Sequence, residues 1–452
     1  MAVTRRELIS RIAAVGGYSA AVSALGALGL TPQAVAATFN PLQLGSSGKG
    51  KHVVVVGAGI SGLVSAYELR KAGFTVTILE ARERVGGRNW TLRRGTKVDF
   101  DDGISQTVDF DDGQFFNAGP ARIPSHHQTI LGYCRELGVE LQVLVNSSRN
   151  ALALPDPTKP AFQLRQAVND TRGQLSELLA RTVSRKALDQ DLSVDDRKAL
   201  LNFLKVYGDL NADFKYKGSV RSGYTRIPGA GDQTGITRAP LELQTLLNPK
   251  LWGALVFDEI PEFSSTMFQP VGGMDRIPYA FYDKLKDTVR FNAEVSDIQT
   301  SENGSRITYR DRKTGTTQTL SADYAIVTVP LPLLAKLPSN FSQPFKQAIL
   351  SAQSDQANKV AWQSPRFWET DFNIYGGLSY LDHEVKGLWY PSDRLNSAQG
   401  ILVAAYNTSE SAQAFSKKSL AEQFASSRQA VELLHPGPVS YTHLTLPTSD
   451  LV

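Results

Sequence analysis

Cysteine is nearly missing from this 452-residue chain: Cys134 stands alone, so no internal disulfide can form. Histidine is scarce too, with six copies and no grouping with Cys or Asp at ligand spacing, which argues against a metal centre. The Gly-x-Ser-x-Gly elbow of a serine hydrolase does not occur. Beyond the leader, no segment is long and apolar enough to read as a membrane span. Charge of one sign is barely in excess. The net +4 includes Arg5, Arg6 and Arg11 against Glu7 in the leader, and the remainder is too small for a nucleic-acid footprint. What is present is globular material, 42% hydrophobic and 20% charged, in a length that suits two interleaved domains. Cys134 falls with Ile130 and Leu137 at helical spacing, which assigns it to core packing.

The leader carries Arg5-Arg6, a glycine- and alanine-diluted apolar run from Ile12 to Leu30, and Ala34-Val35-Ala36 as a cleavage site. That pattern reads as a twin-arginine signal over residues 1–37, for export in the folded state to the periplasm or the medium. A linker (38–50) leads into the strand HVVVV, the turn GAGISG, a helical pattern from Ser61 to Ala72 and a second strand, TVTILE. From His127 to about Pro261 the pattern reads as mostly helical. Strand-like VRFNAEVSDIQT, RITYRD and YAIVTVP follow, then alternating short elements to Asn407. The segment Val98–Gly103 recurs as Val108–Gly113, a local duplication expected in a hairpin or loop and given no chemistry.

A strand, a glycine turn, a helix and a second strand form the context that a dinucleotide fingerprint requires. Gly57 suits the tight turn, Gly59 lets backbone approach a pyrophosphate, and Gly62 lets helix and strand pack closely. Ile60 and Ser61 open the helix, whose N-terminus faces the phosphates. Glu80 ends the second strand where an acidic side chain accepts from a ribose hydroxyl.

The next residues, ARERVGGR, follow Glu80 without a break and resemble the second fingerprint of the FAD-dependent amine oxidase family. The resemblance implies an α/β fold: a Rossmann-like FAD-binding domain interleaved with a substrate domain of mixed sheet and helices. On that pattern Ala81, Arg82 and Arg88 lie along the ribose and pyrophosphate, and Gly86-Gly87 lets the chain pass FAD closely. PVGGMDRIP resembles the family's Gly-Gly turn, FNAEVSDI places Val295 where backbone meets the adenine, and ADYAIVTVPL looks like the strand returning to the flavin domain. The expected partition is FAD-binding segments at 51–120 and 261–340, a helical substrate insert at 121–260 and a substrate-domain sheet at 341–435.

FNAGPARIP is similar to the Gly-x-x-Arg-x-Pro motif of the family's L-amino-acid oxidase branch. The resemblance makes Arg122 the clamp for a substrate carboxylate, and Gly119, Pro120 and Ala121 the passage along the isoalloxazine. In the same way GLWYP offers Tyr390 as a second carboxylate donor, and Lys359 in NKVAWQSPRFWE matches the lysine that holds water near flavin N5. Trp389 and Tyr406 could wall the side-chain pocket or simply belong to the core. His126 and His127 are expected at a helix N-terminus facing solvent.

The resemblance implies oxidative deamination of an L-α-amino acid to a 2-oxo acid, ammonia and hydrogen peroxide, with dioxygen as the oxidant. A flavin amino-acid monooxygenase and a monoamine oxidase are the alternatives, and a non-catalytic nucleotide-binding fragment is the alternative of another class. The sequence leaves the oligomeric state open, a homodimer among the options. The family-like text stops near Leu433–Gly437. Residues 436–452 resemble a read-through adaptor, so the C-terminal flavin segment is expected to be missing.

Overall fold

Four valines in a row, Val53 to Val56, can only be a strand covered on both faces, and the structure places them at the centre of a parallel sheet. The protein is described by a computed structural model covering residues 39, 42–100, 103–188 and 190–437, together with the backbone of 443–448. The leader therefore lies outside the described residues. The sheet order is Val289–Arg290, Thr75–Leu79, His52–Val56, Tyr324–Val327, parallel throughout. Adjacent strands come from distant parts of the chain: the His52 N–H donates to Asp323, 271 positions later. The glycine-loop helix Ile60–Lys71 covers one face, where Tyr67, Tyr133 and Phe281 meet edge to face. Cys134 is buried in the same cluster, and burial pushes its thiol up to about 11.

An antiparallel meander, Ala293–Ser301, Gly304–Asp311 and Thr317–Ala322, leads back into Tyr324–Val327. The second large sheet has seven strands: Phe162–Gln163, Leu152–Leu154, Gly377–Leu381, Gly387–Tyr390, Gln399–Thr408, Ala357–Pro365 and His443–Thr448. Side chains alternate across it with period two. One face carries Val360, Trp362, Leu402, Ala404 and Tyr390 into a core shared with Leu164, Leu251 and Val431 of the flanking helices. The other face carries Lys359, Ala361, Trp389, Val403 and Tyr406 toward the first domain.

The stretch from His127 to Pro261 is less helical than its pattern suggests. It holds the helices Leu164–Ser184 and Val194–Tyr207, but also the strands Leu141–Leu144, Leu152–Leu154 and Phe162–Gln163. Leu141–Leu144 and Leu152–Leu154 find partners far along the chain, at Met267–Pro270 and Gly377–Leu381, and such partners leave no local trace. The first VDFDDG copy begins inside strand Lys97–Asp99 of a hairpin with Ser105–Thr107, the second follows that hairpin, and Val98 and Val108 enter one apolar cluster. No helix among the described residues is long and apolar enough to cross a membrane.

Candidate active site

The two glycine segments that are 29 residues apart in sequence (Gly57 to Gly86) meet in space. The Gly86 N–H donates to Ala58 O at 2.8 Å, and Gly59 and Gly86 form a parallel bridge. Gly57 sits at φ +102°, and a Cβ on Gly62 would stand 2.0 Å from Gly57 O, so the turn and the helix tolerate nothing larger. A Cβ on Gly59 would meet nothing within 4 Å. The open side of the loop is thus at Gly59, where the first turn of the helix, through Ile60 and Ser61, has no side-chain cap. Uncapped N–H groups at a helix start suit an anion. Beside them a cleft of about 620 Å³ runs from Ile60, Ser61 and Val64 to His126 and His127 at the start of helix Gln128–Glu136.

Glu80 is buried, and its carboxylate accepts the Ala58 N–H at 2.8 Å and the Arg82 N–H at 2.9 Å. It ties the glycine loop to the strand exit and keeps lone pairs for a ribose hydroxyl. The backbone C=O of Glu80 takes the Ala293 N–H. Val295, two residues on and buried, therefore presents its backbone along the same edge of its strand. Of the arginines in ARERVGGR, Arg88 is exposed and Arg82 half-buried. The octet held a third, Arg84, that sequence reasoning passed over. Its guanidinium lies 4.1 Å from the Trp90 ring and donates to Gly87 O, and burial pulls its pKa down to about 10. A Cβ on Gly119 would meet Arg88 O at 1.8 Å, so Gly119 is the point where the Arg88 and Arg122 loops cross. Pro120 is exposed.

Beyond that crossing stands Arg122. Its Nη1 donates to Asn146 Oδ1 at 2.6 Å, and Asn146 is itself held by Phe263 O. The rings of Phe263, Trp389 and Phe257 lie 4.6, 5.0 and 5.8 Å from the guanidinium carbon. Among the described residues no carboxylate pairs with it. Burial depresses its pKa, opposed by the nearby Tyr406 and Tyr380. Lys359 is buried on the next strand, its Nζ donating to Gly119 O at 2.5 Å and Asn117 O at 3.2 Å. Burial, then the positive charge of Arg122, brings it down to about 7. Arg122 and Lys359 thus stand together in an aromatic enclosure. Ala121 and Lys359 also wall a second cavity, of about 60 Å³.

Tyr390 does not join this group. It is fully buried on the opposite face of the sheet, its hydroxyl 2.7 Å from Ser379 Oγ and 2.6 Å from His435 Nε2. Strand alternation explains the correction: Trp389 points to Arg122, so its neighbour must point away. The tyrosines that couple to Arg122 are Tyr380 and Tyr406. Tyr406 was legible as a strand aromatic; Tyr380, in GLSYL, carried no motif. His126 and His127 sit edge to face at 4.6 Å by the cleft mouth, and no group of three metal-ligating side chains occurs among the described residues.

The chain is similar to known proteins over most of its length. The profile of the flavin containing amine oxidoreductases matches residues 60–448, and that of the pyridine nucleotide-disulphide oxidoreductases matches 12–94. A putative L-amino-acid oxidase of Bacillus subtilis is 29% identical over 383 residues, 82% of this chain and 75% of that one. An L-amino-acid oxidase of Vipera ammodytes ammodytes is 30% identical over 381 residues, 78% of this chain and 70% of that one. In fold, a putrescine oxidase bound to putrescine superposes with a TM-score of 0.54 at 19% identity, covering 88% of this chain and 84% of that one. A cyclohexylamine oxidase from Brevibacterium oxydans gives 0.56 at 14%, with the same coverage. The uncapped helix start, the bare face at Gly59 and the buried Glu80 fit FAD, and the chain belongs to the flavin containing amine oxidoreductases, as an FAD-dependent oxidoreductase.

Proposed function

We propose that this oxidoreductase deaminates L-α-amino acids, giving 2-oxo acid, ammonia and hydrogen peroxide with dioxygen as oxidant. One observation carries the reading: the guanidinium of Arg122 is enclosed by three aromatic rings and has no carboxylate partner among the described residues. A desolvated cation is costly unless an anion arrives to pair with it, and the planar fork of arginine suits a carboxylate. Arg122 would hold the substrate carboxylate, with Tyr406 and Tyr380 close enough to share the charge. Asn146 and Phe263 fix the guanidinium in direction. Bound FAD, held by Gly57 to Gly62, Glu80 to Arg88 and Gly119 to Arg122, with Val295 at the adenine end, would supply hydride acceptance from the α-carbon.

The substrate amine must be neutral before its α-hydrogen leaves as hydride. Lys359 suits that proton, since its folded pKa of about 7 leaves much of it as free amine at neutral pH. Trp389, Phe257 and Phe263 exclude water from the anion and strengthen its pairing. Residues 1–37 fit a twin-arginine signal, which places the reaction outside the cytoplasm. The partition into flavin segments (51–120, 261–340) and substrate segments (121–260, 341–435) is the one this function uses.

The test is Arg122→Ala, assayed on L-amino acids and on the amines that lack the carboxylate. Removing one partner of a buried charge pair costs about 2–5 kcal/mol, so kcat/KM on amino acids is expected to fall on the order of 10²- to 10³-fold. Activity on amines should stay level. An equal fall on both substrate types overturns the clamp.

A further inference from the structure

The cavity of about 60 Å³ that adjoins Ala121 and Lys359 is lined also by Asn117, Gln269, Trp389, Val403 and Asp393. Its walls are largely apolar, but one polar member has an unmet need. Gln269 is buried at 5% exposure, and its Nε2 has no hydrogen-bond partner. A buried donor left unmade costs about 1–3 kcal/mol, so native proteins meet it with water where there is room. A volume of about 60 Å³ exceeds the roughly 10–15 Å³ that one water needs. The lining brings Lys359 together with Asp393, which is half-buried in the loop after strand Gly387–Tyr390.

We propose that this cavity is a hydrated exit for the proton taken from substrate, leading from Lys359 past Gln269 to Asp393 and bulk solvent. The inference rests on the reading of Lys359 as the acceptor of the amine proton. The proton count is simple. A substrate N–H bond breaks and a Lys359 N–H bond forms. The Lys359 ammonium then passes a proton to a cavity water, which passes one to the Asp393 carboxylate, and Asp393 exchanges it with solvent. No electrons move in these steps, and Lys359 returns to the free amine for the next turnover.

The groups around each end agree with this direction. Facing Lys359 are Arg122, whose charge favours loss of the proton, and the Tyr406 and Trp389 rings. Around Asp393 stand Arg366, Arg394 and Glu369. Arg366 is already paired with Glu369 at 2.6 Å and donates to the backbone O of Asp393. The carboxyl of Asp393 itself is pushed up by burial, which suits a group that must pick up a proton as well as release it. Asp393 and Gln269 act through Lys359 and water, and are positioning residues.

Asp393→Asn keeps the shape and removes the titration. Its kcat is expected to fall on the order of 10- to 100-fold, with an unchanged substrate Kd and an enlarged solvent isotope effect. Formate added at millimolar level, and Asp393→Glu, should both restore the rate. Gln269→Leu should reproduce the slow phenotype, and a high-resolution crystal structure should show water against Gln269 Nε2. An unaltered pH profile and isotope effect in Asp393→Asn overturn the path, as does a dry cavity in the crystal. A rate loss that tracks a lowered melting temperature and resists formate overturns it in favour of a structural role. Arg122→Ala compared on amino acids and amines reports on the anchoring function separately, since either substrate brings an ammonium proton that must leave.

Discussion

Lys359 should weaken the fold below neutrality, and replacing it with methionine should show by how much. The lysine is depressed from 10.5 to about 7 because it is buried beside Arg122. A cation whose folded pKa is lowered binds more protons when unfolded, so native stability rises with pH between those two values. Below about pH 7 the full penalty applies, about 5 kcal/mol. By about pH 9 the folded form is neutral already, and the same linkage leaves about 2 kcal/mol. Lys359→Met removes the penalty but orphans the carbonyls of Asn117 and Gly119, an offset of about 1 kcal/mol apiece that does not vary with pH. Urea unfolding of wild type and variant at both pH values is the assay. The stability advantage of the variant should shrink by about 2–3 kcal/mol between about pH 6 and pH 9. A difference that is constant across the range refutes the reasoning, because it means the amine is hydrated or paired in the folded state.

Three further outcomes follow from the geometry. Tyr406→Phe should raise KM for amino acids several-fold, whereas Tyr390→Phe should leave kinetics alone and lower stability by about 1 kcal/mol through its lost bonds to Ser379 and His435. Steady-state kinetics with chemical denaturation separates them, and a KM effect confined to Tyr390→Phe contradicts the strand assignment. Gly62→Ala should abolish FAD retention, read as loss of visible absorbance in the purified protein, because its Cβ would stand 2.0 Å from Gly57 O. A yellow Gly62→Ala protein contradicts the cradle.

The glycine loop was legible because its physics is local: the turn, the approach and the helix packing each demand a residue without a side chain at a fixed spacing. Arg122 and Lys359 were legible by resemblance, through the motifs that surround them. Tyr390 was not, because a one-residue offset in a strand moves a side chain to the other face, and only the finished sheet shows which face is which. Arg84 escaped for a related reason. Three arginines in one octet look alike until the loop closes and turns one of them inward. Leu141–Leu144 and Leu152–Leu154 were hidden as strands because their partners lie far away in the chain, where propensity carries no information.

The pairing of His52–Val56 with Tyr324–Val327 has a consequence for biosynthesis. During translation the first strand leaves the ribosome long before its neighbour exists, so the nascent sheet carries an unpaired, valine-rich border through most of elongation. Such a border templates association with other chains. Completion of the flavin-binding half is therefore a late event, and factors that shield nascent chains should raise yield.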